Sequence, residues 1–172
     1  YLVSFRGKDV HGGRSRELGG ITGILKAVSM PVWRAAGALV ANSEGLREVA
    51  RQVEPSVEVG VIPNGVDTVR FSPSDTRGEG PVRLLYVGRL EPYKGLSCLL
   101  DALIRVRGTS GDFRLKIVGD GSLRSQLTAE AENSGLSDVI TFTGWVSPDL
   151  IPDIYRDADV FVLTSVVEGR PN

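Results

Sequence analysis

The stretch Val82-Arg83-Leu84-Leu85-Tyr86-Val87-Gly88-Arg89-Leu90-Glu91-Pro92-Tyr93-Lys94-Gly95-Leu96-Ser97-Cys98-Leu99-Leu100-Asp101-Ala102-Leu103 changes periodicity partway along. Its first six residues form a short, nearly continuous apolar run, as a strand buried on both faces does. From Gly95 to about residue 107 the apolar residues Leu96, Leu99, Leu100 and Leu103 fall at i, i+3, i+4 and i+7, one stripe of an amphipathic helix. Between them lies a turn with glycine at both ends. A buried strand, a glycine-bounded turn and a helix together make half of a βαβ unit, which predicts an α/β fold with mainly parallel strands.

The same unit recurs on both sides. Towards the C-terminus, a strand over 113–118 leads to a helix near 122–134. A strand over 139–143 leads to a short helix opened by Ser147-Pro148, with Ser147 as cap and Pro148 at the first helical position, and a strand over 159–163 follows. Towards the N-terminus there is a strand over 1–5, an amphipathic stretch over 21–36, a strand over 38–41, a helix over 43–53 and a strand over 57–62. Residues 72–81 carry no apolar side chain other than prolines, so the reading places a linker at 73–80 between a domain over 1–72 and another over 81–172.

Composition excludes several functions. With 41% hydrophobic and 24% charged residues, and 20 basic against 21 acidic side chains, the chain has a globular balance and no global attraction for nucleic acid or anionic membrane. Its apolar runs of five or six residues fall far short of the roughly 20 needed to span a bilayer. One cysteine, Cys98, cannot form an internal disulfide, and one histidine, His11, cannot complete an ordinary zinc site with it. Cys98 reads as a small core residue of its helix. A cytoplasmic setting is expected, with contact at the inner membrane face at most peripheral. The chain begins inside a strand and stops directly after a Glu-Gly loop, so a fragment is expected, one that is inactive alone.

Ligand chemistry in parallel α/β sheets collects at the carboxyl ends of the strands. The loops there read Gly88 to Gly95, Gly119-Asp120-Gly121, Gly144-Trp145-Val146, and Thr164 to Asn172. Arg89 and Lys94 flank the first loop beside a helix N-terminus, where two cations and free backbone N–H groups suit a diphosphate, although ordinary surface charge is the competing reading. Gly119-Asp120-Gly121 opens like a dinucleotide fingerprint, but Arg124 stands where its third glycine belongs, so a plain tight turn is expected. Asp157-Ala158-Asp159 has the spacing of a metal-holding pair yet precedes its strand, at the wrong edge, and no metal is expected. Trp145 is the better ligand candidate of the two tryptophans, and Trp33 reads as core or interface.

As a set, Ile62-Pro63-Asn64-Gly65-Val66-Asp67 with Phe71 and Pro73, Val87-Gly88-Arg89-Leu90 with Lys94-Gly95, Ile117-Val118-Gly119-Asp120-Gly121, Phe142-Thr143-Gly144, and Ser165-x-x-Glu168-Gly169-x-Pro171-Asn172 resemble the retaining glycosyltransferases of family four (glycosyl transferases group 1). The resemblance covers nearly the whole chain and implies the GT-B architecture, two Rossmann-like domains, both incomplete here. Residues 1–72 would be the last part of the acceptor-side domain, and residues from 81 the first part of the nucleotide-sugar domain.

The resemblance implies a hexose donor activated by a nucleoside diphosphate, a saccharide or glycolipid acceptor, a place in polysaccharide biosynthesis, and no cofactor. Arg89 and Lys94, with Gly88, would hold the diphosphate, Gly144, Trp145 and Val146 the base, and Glu168 the transferred sugar or its phosphate. Backbone amides of Gly169, Arg170, Pro171 and Asn172 would cap sugar or phosphate oxygens where an N–H exists. Glu168, Arg89 and Lys94 are thereby the catalytic set. Two departures stand out: the second carboxylate of the family's Glu-x7-Glu pair falls beyond Asn172, and the family's His-Gly-x-Asp segment reads Arg6-Gly7-Lys8-Asp9 here, which puts Arg6, Gly7 and Asp9 on the acceptor side without the usual histidine. A sugar-nucleotide epimerase of the same fold and a non-catalytic nucleotide- or sugar-binding α/β module are the competing readings.

Overall fold

The computed structural model describes residues 1–6, 28–74, 79–107, 109 and 112–165. They fall into two compact units, one from Tyr1 to Val66 and one beginning at Asp67.

The first unit is a parallel sheet of β1 (Leu2–Phe5), β2 (Ala38–Ala41) and β3 (Val59–Val61), in that spatial order. Leu2 to Phe5 pair in register with Ala38 to Ala41, and Leu39 to Ala41 with Val59 to Val61. Helix α1, described over 28–35, and helix α2 (Glu44–Val53) lie along the chain between the strands. Ser43 caps α2: its backbone is extended and its Oγ accepts the Leu46 N–H at 3.3 Å. Phe5, Met30, Trp33, Leu39, Ala41, Ala50 and Val59 form the core, with the Phe5 and Trp33 rings tilted at 4.6 Å between centroids. Trp33 is therefore a core residue.

Just after α2, Glu54 is buried and fully engaged. One carboxylate oxygen accepts from the Arg34 guanidinium at 2.5 and 3.1 Å, and the other accepts from the Ser56 hydroxyl at 2.6 Å and its N–H at 3.3 Å. The Ser56 hydroxyl, followed by Arg34, holds this carboxyl below its ordinary value of 4.5.

The second unit is a parallel sheet in spatial order β6-β5-β4-β7, built from β4 (Val82–Val87), β5 (Phe113–Val118), β6 (Ile140–Gly144) and β7 (Val160–Phe161). Helices α3 (Leu96–Arg107), α4 (Arg124–Asn133) and α5 (Ile151–Arg156) connect them. Leu96, Leu99, Leu100 and Leu103 are all buried, so the stripe read from the sequence is the face α3 docks on Tyr86, Leu115, Ile117, Leu127 and Ile140. Burying each leucine contributes about 1.5–3 kcal/mol, which is what seats a helix of twelve residues.

The order of strands fixes where a ligand can sit. The chain steps outward from β4 to β5 to β6, then returns to lay β7 on the other side of β4. The loops after β4 and β7 therefore come off neighbouring strands at the point where the strand order reverses, the place where open parallel α/β sheets bind ligands.

Four sequence expectations are corrected. Residues 67–74 were expected in the first domain or at the start of the linker, but Asp67 onward belongs to the second unit: the Asp67 carboxylate accepts the N–H groups of Val69 and Arg70 at 3.0 and 3.1 Å, Arg70 reaches Asp149 at 2.8 Å, and the Phe71 ring meets Tyr155 edge-on at 6.0 Å. Composition missed this because the anchoring residues are polar or isolated. The Ser147-Pro148 pair opens a turn and not the helix. Leu150 N–H donates to the Ser147 carbonyl at 3.0 Å, proline takes its favoured second position of the turn, and α5 starts at Ile151 with Pro152 in its first turn. Cys98 is exposed, off the leucine stripe. Finally, β7 pairs only over Val160–Phe161, shorter than the expected 159–163.

Candidate donor-binding edge

The carboxyl edge of the second sheet is a set of loops in unusually close contact. Gly119, with φ +126°, lies so near the Gly88 carbonyl that a Cβ there would stand 2.0 Å from its oxygen. At Gly95 a Cβ would be 2.2 Å from the Thr164 carbonyl, and at Gly121 it would be 2.5 Å from Leu90. Real Cβ atoms never approach so closely, so three glycines permit the loops after β4, β5 and β7 to touch backbone to backbone. Hydrogen bonds fix the contact: Gly88 N–H donates to Val118, Leu90 N–H to Asp120, and Leu123 N–H to Leu90, at 2.9 to 3.0 Å.

On this frame stand the two cations. The loop 88–95 contains a 3-10 turn, Pro92–Lys94, closed by Lys94 N–H donating to the Glu91 carbonyl at 2.9 Å. Thr164 Oγ donates to the Lys94 carbonyl at 2.9 Å, anchoring the turn from the β7 side. The Tyr93 ring carries both charges, with Arg89 Cζ 5.8 Å and Lys94 Nζ 5.3 Å from its centroid. Tyr86 Oη donates to the Arg89 carbonyl at 3.0 Å, so a buried core side chain sets the backbone of the first cation. The turn displaces the helix start from Gly95 to Leu96 and presents Arg89 and Lys94 together beside it.

The loop after β6 joins the same edge. The β5–β6 register slips between Ile117 and Val118, so Val118 pairs with Gly144 and Thr143 is the extra residue. Gly144 has φ +74°, and its carbonyl accepts from Gly119 N–H at 2.8 Å. The chain then turns out to Trp145, which is 73% exposed. Gly88, Arg89, Lys94, Gly144, Trp145 and Val146 thus share one edge, as the sequence reading expected.

Other expected residues do not enter this description. Glu168, Gly169, Arg170, Pro171 and Asn172 lie outside the described residues, as do Gly7, Lys8, Asp9 and His11. Arg6 is exposed, one residue past β1 in the first unit.

Arg124, which the sequence reading treats only as a break in a glycine fingerprint, also stands at this edge. Its guanidinium donates to Asp120 at 3.2 Å and lies against Gly144, where an added Cβ would meet Nη1 at 2.9 Å. The spacing of four between Asp120 and Arg124 was the available signal; matching a glycine fingerprint hid it.

The amino edge of the same sheet looks different. A cavity of about 480 Å³ is lined there by Phe71, Pro73, Arg83, Tyr155, Arg156 and Asp159. Its charges are turned on one another: Asp159 accepts from the Arg83 backbone N–H at 2.8 Å and from its guanidinium at 2.9 and 3.1 Å, while Arg156 reaches Asp153 at 2.5 Å. Hydrogen bonding to Asp159 raises the Arg83 pKa above its ordinary value. Among the described residues, no cluster of three or more His, Cys, Asp or Glu side chains could hold a metal ion.

A parallel α/β unit with glycine-packed loops and paired cations at its topological switch point is a ligand-binding fold suited to an anionic, phosphate-bearing ligand. The chain belongs to the glycosyl transferases group 1 family, whose profile matches residues 70–171, more than half of it. It is 34% identical over 125 residues to the GDP-mannose-dependent alpha-(1-6)-phosphatidylinositol monomannoside mannosyltransferase of Mycobacterium tuberculosis, covering 67% of this chain and 32% of that protein. Among solved structures it resembles the lipopolysaccharide outer core galactosyltransferase WaaB (TM-score 0.63, 28% identity, 79% of this chain and 39% of that one). It also resembles HepE of Anabaena in complex with UDP and glucose (TM-score 0.68, 26% identity, 84% and 42%). The fold is that of the GT-B glycosyltransferases. The chain spans about a third of the length of the curated relatives it matches.

Proposed function

We propose that the protein is a retaining hexosyltransferase of family four, which moves a sugar from a nucleoside diphosphate to a saccharide or lipid-linked acceptor in the synthesis of a polysaccharide or glycolipid. The observation that carries this reading is the pairing of Arg89 and Lys94 around Tyr93 at the β4–β7 switch point. The relatives named for GDP-mannose and solved with UDP support the donor class.

In this reading the first unit is the end of the acceptor-side domain, and the second unit begins the nucleotide-sugar domain. Breaking the bond between the anomeric carbon and the phosphate leaves a diphosphate of growing negative charge and a sugar of oxocarbenium character. Arg89, Lys94 and the N–H groups at the start of α3 stabilise the first; Glu168 steadies the second, and the backbone of 169–172 caps sugar or phosphate oxygens. Gly144 to Val146 face the base, and Arg6, Gly7 and Asp9 lie on the acceptor side. A fixed donor of this kind is worth about 3–4 kcal/mol in a transition state.

Such a site neutralises its leaving group with side-chain cations instead of a metal ion, so transfer proceeds free of metal and cofactor. The Asp-x-Asp segment supports this, since Asp159 is committed to Arg83 at the far edge. The enzyme works in the cytoplasm, in at most peripheral contact with the inner membrane face, and no described helix is long and apolar enough to cross a membrane.

Turnover of UDP- and GDP-hexoses by the intact protein, with and without excess EDTA, is the test. Transfer with the anomeric configuration kept and unaffected by EDTA is expected. Loss that magnesium or manganese restores would overturn the metal-free mechanism. Nucleotide-sugar binding without turnover in the presence of lipid and saccharide acceptors would favour the non-catalytic module.

A further inference from the structure

A carboxylate stands in the middle of the loop that carries the two cations. Glu91 is two residues from Arg89 and three from Lys94, and a negative charge there opposes the anion the loop is read as holding. Its side chain is taken up elsewhere: one oxygen accepts the Ser122 hydroxyl at 2.8 Å and the other the Ser122 N–H at 3.3 Å, both from the loop after β5. Its carbonyl meanwhile accepts Lys94 N–H at 2.9 Å and closes the 3-10 turn.

From this geometry we infer that Glu91 is a positioning residue that clamps the cation loop to Ser122 and so sets where Arg89 and Lys94 stand; the inference rests on the donor-binding reading of that loop. The neighbouring cross-loop bonds, Leu90 N–H to Asp120 and Leu123 N–H to Leu90, use backbone alone and survive any side-chain change. Glu91 to Ser122 is the side-chain tie at the point where the turn begins. With Thr164 holding the Lys94 carbonyl at 2.9 Å, the turn is gripped at both ends. The clamp needs acceptor oxygens and not charge. A glutamine can accept the Ser122 N–H and donate to its hydroxyl, and without the charge it opposes a diphosphate less.

Hydrogen exchange of the segment 88–95 and calorimetric titration with UDP and GDP, on the intact protein, test this in Glu91→Ala, Glu91→Gln and Ser122→Ala. Glu91→Ala should speed exchange at 89–95 and weaken nucleoside diphosphate binding about 2- to 10-fold, the span of one net hydrogen bond, with the melting temperature nearly kept. Glu91→Gln should recover slow exchange and bind as tightly as the parent or tighter, and Ser122→Ala should fall between. Unchanged exchange in Glu91→Ala, or Glu91→Gln as weak as Glu91→Ala, would overturn the clamp, the second because it would make the carboxylate a ligand contact. If the parent binds neither diphosphate, the donor-binding reading falls, and the exchange data alone still decide whether the clamp exists.

Discussion

The two edges of the second sheet are built from the same residue types and put them to opposite uses. At the amino edge Arg83 and Asp159 bind one another through three hydrogen bonds, and Arg156 reaches Asp153. At the carboxyl edge Arg89 and Lys94 are held over a tyrosine ring, on loops that glycines bring into backbone contact. The first arrangement gains from folding alone. The second gathers positive charge, whose natural complement is an anion. A cavity of about 480 Å³ lies at the amino edge, where these paired charges stand.

The comparison breaks most readily at the cations. Arg89→Ala or Lys94→Ala should lower kcat/KM for the nucleotide sugar by about 10²–10³-fold while leaving the fold intact, measured by steady-state kinetics beside a thermal melt. Unchanged kinetics in both would remove the distinction between the edges.

Next in size is Gly119→Ala. Its Cβ would enter the Gly88 carbonyl and its φ of +126° is hostile to any side chain, so a loss on the order of 3 kcal/mol in unfolding free energy is expected, with loss of nucleotide binding. Denaturant titration reads the first and calorimetry the second. The smallest functional effect belongs to Asp159→Asn, which should lower the melting temperature yet leave nucleotide affinity unchanged. A fall in affinity would show that the amino edge takes part in the site.

Much of this was legible beforehand. Leu96, Leu99, Leu100 and Leu103 form a stripe because helical period is written directly into residue spacing, and the strand-loop-helix alternation put Gly88, Arg89, Lys94 and Gly144 at one edge without any coordinates. What escaped depends on contacts between distant segments. Nothing local to Asp67–Phe71 says that Tyr155 and Asp149 will claim it, and Ser147-Pro148 is as good a turn signal as a helix signal. Cys98 was misplaced because an apolar neighbourhood in sequence is not a face. The glutamate among the cations gave no sign of its partner, since Ser122 lies 31 residues away.

The tryptophans carry one more consequence. There are two, and each unit holds one: Trp33 is 5% exposed beside Phe5 in the first, and Trp145 is 73% exposed at the loop rim of the second. Their emission is expected to separate by colour, a blue component from the dry site and a red one from the wet site. The chain thus carries its own optical label: were a nucleotide to bind at the loop rim, it would be expected to quench the red component, with the blue component of the other unit as internal reference.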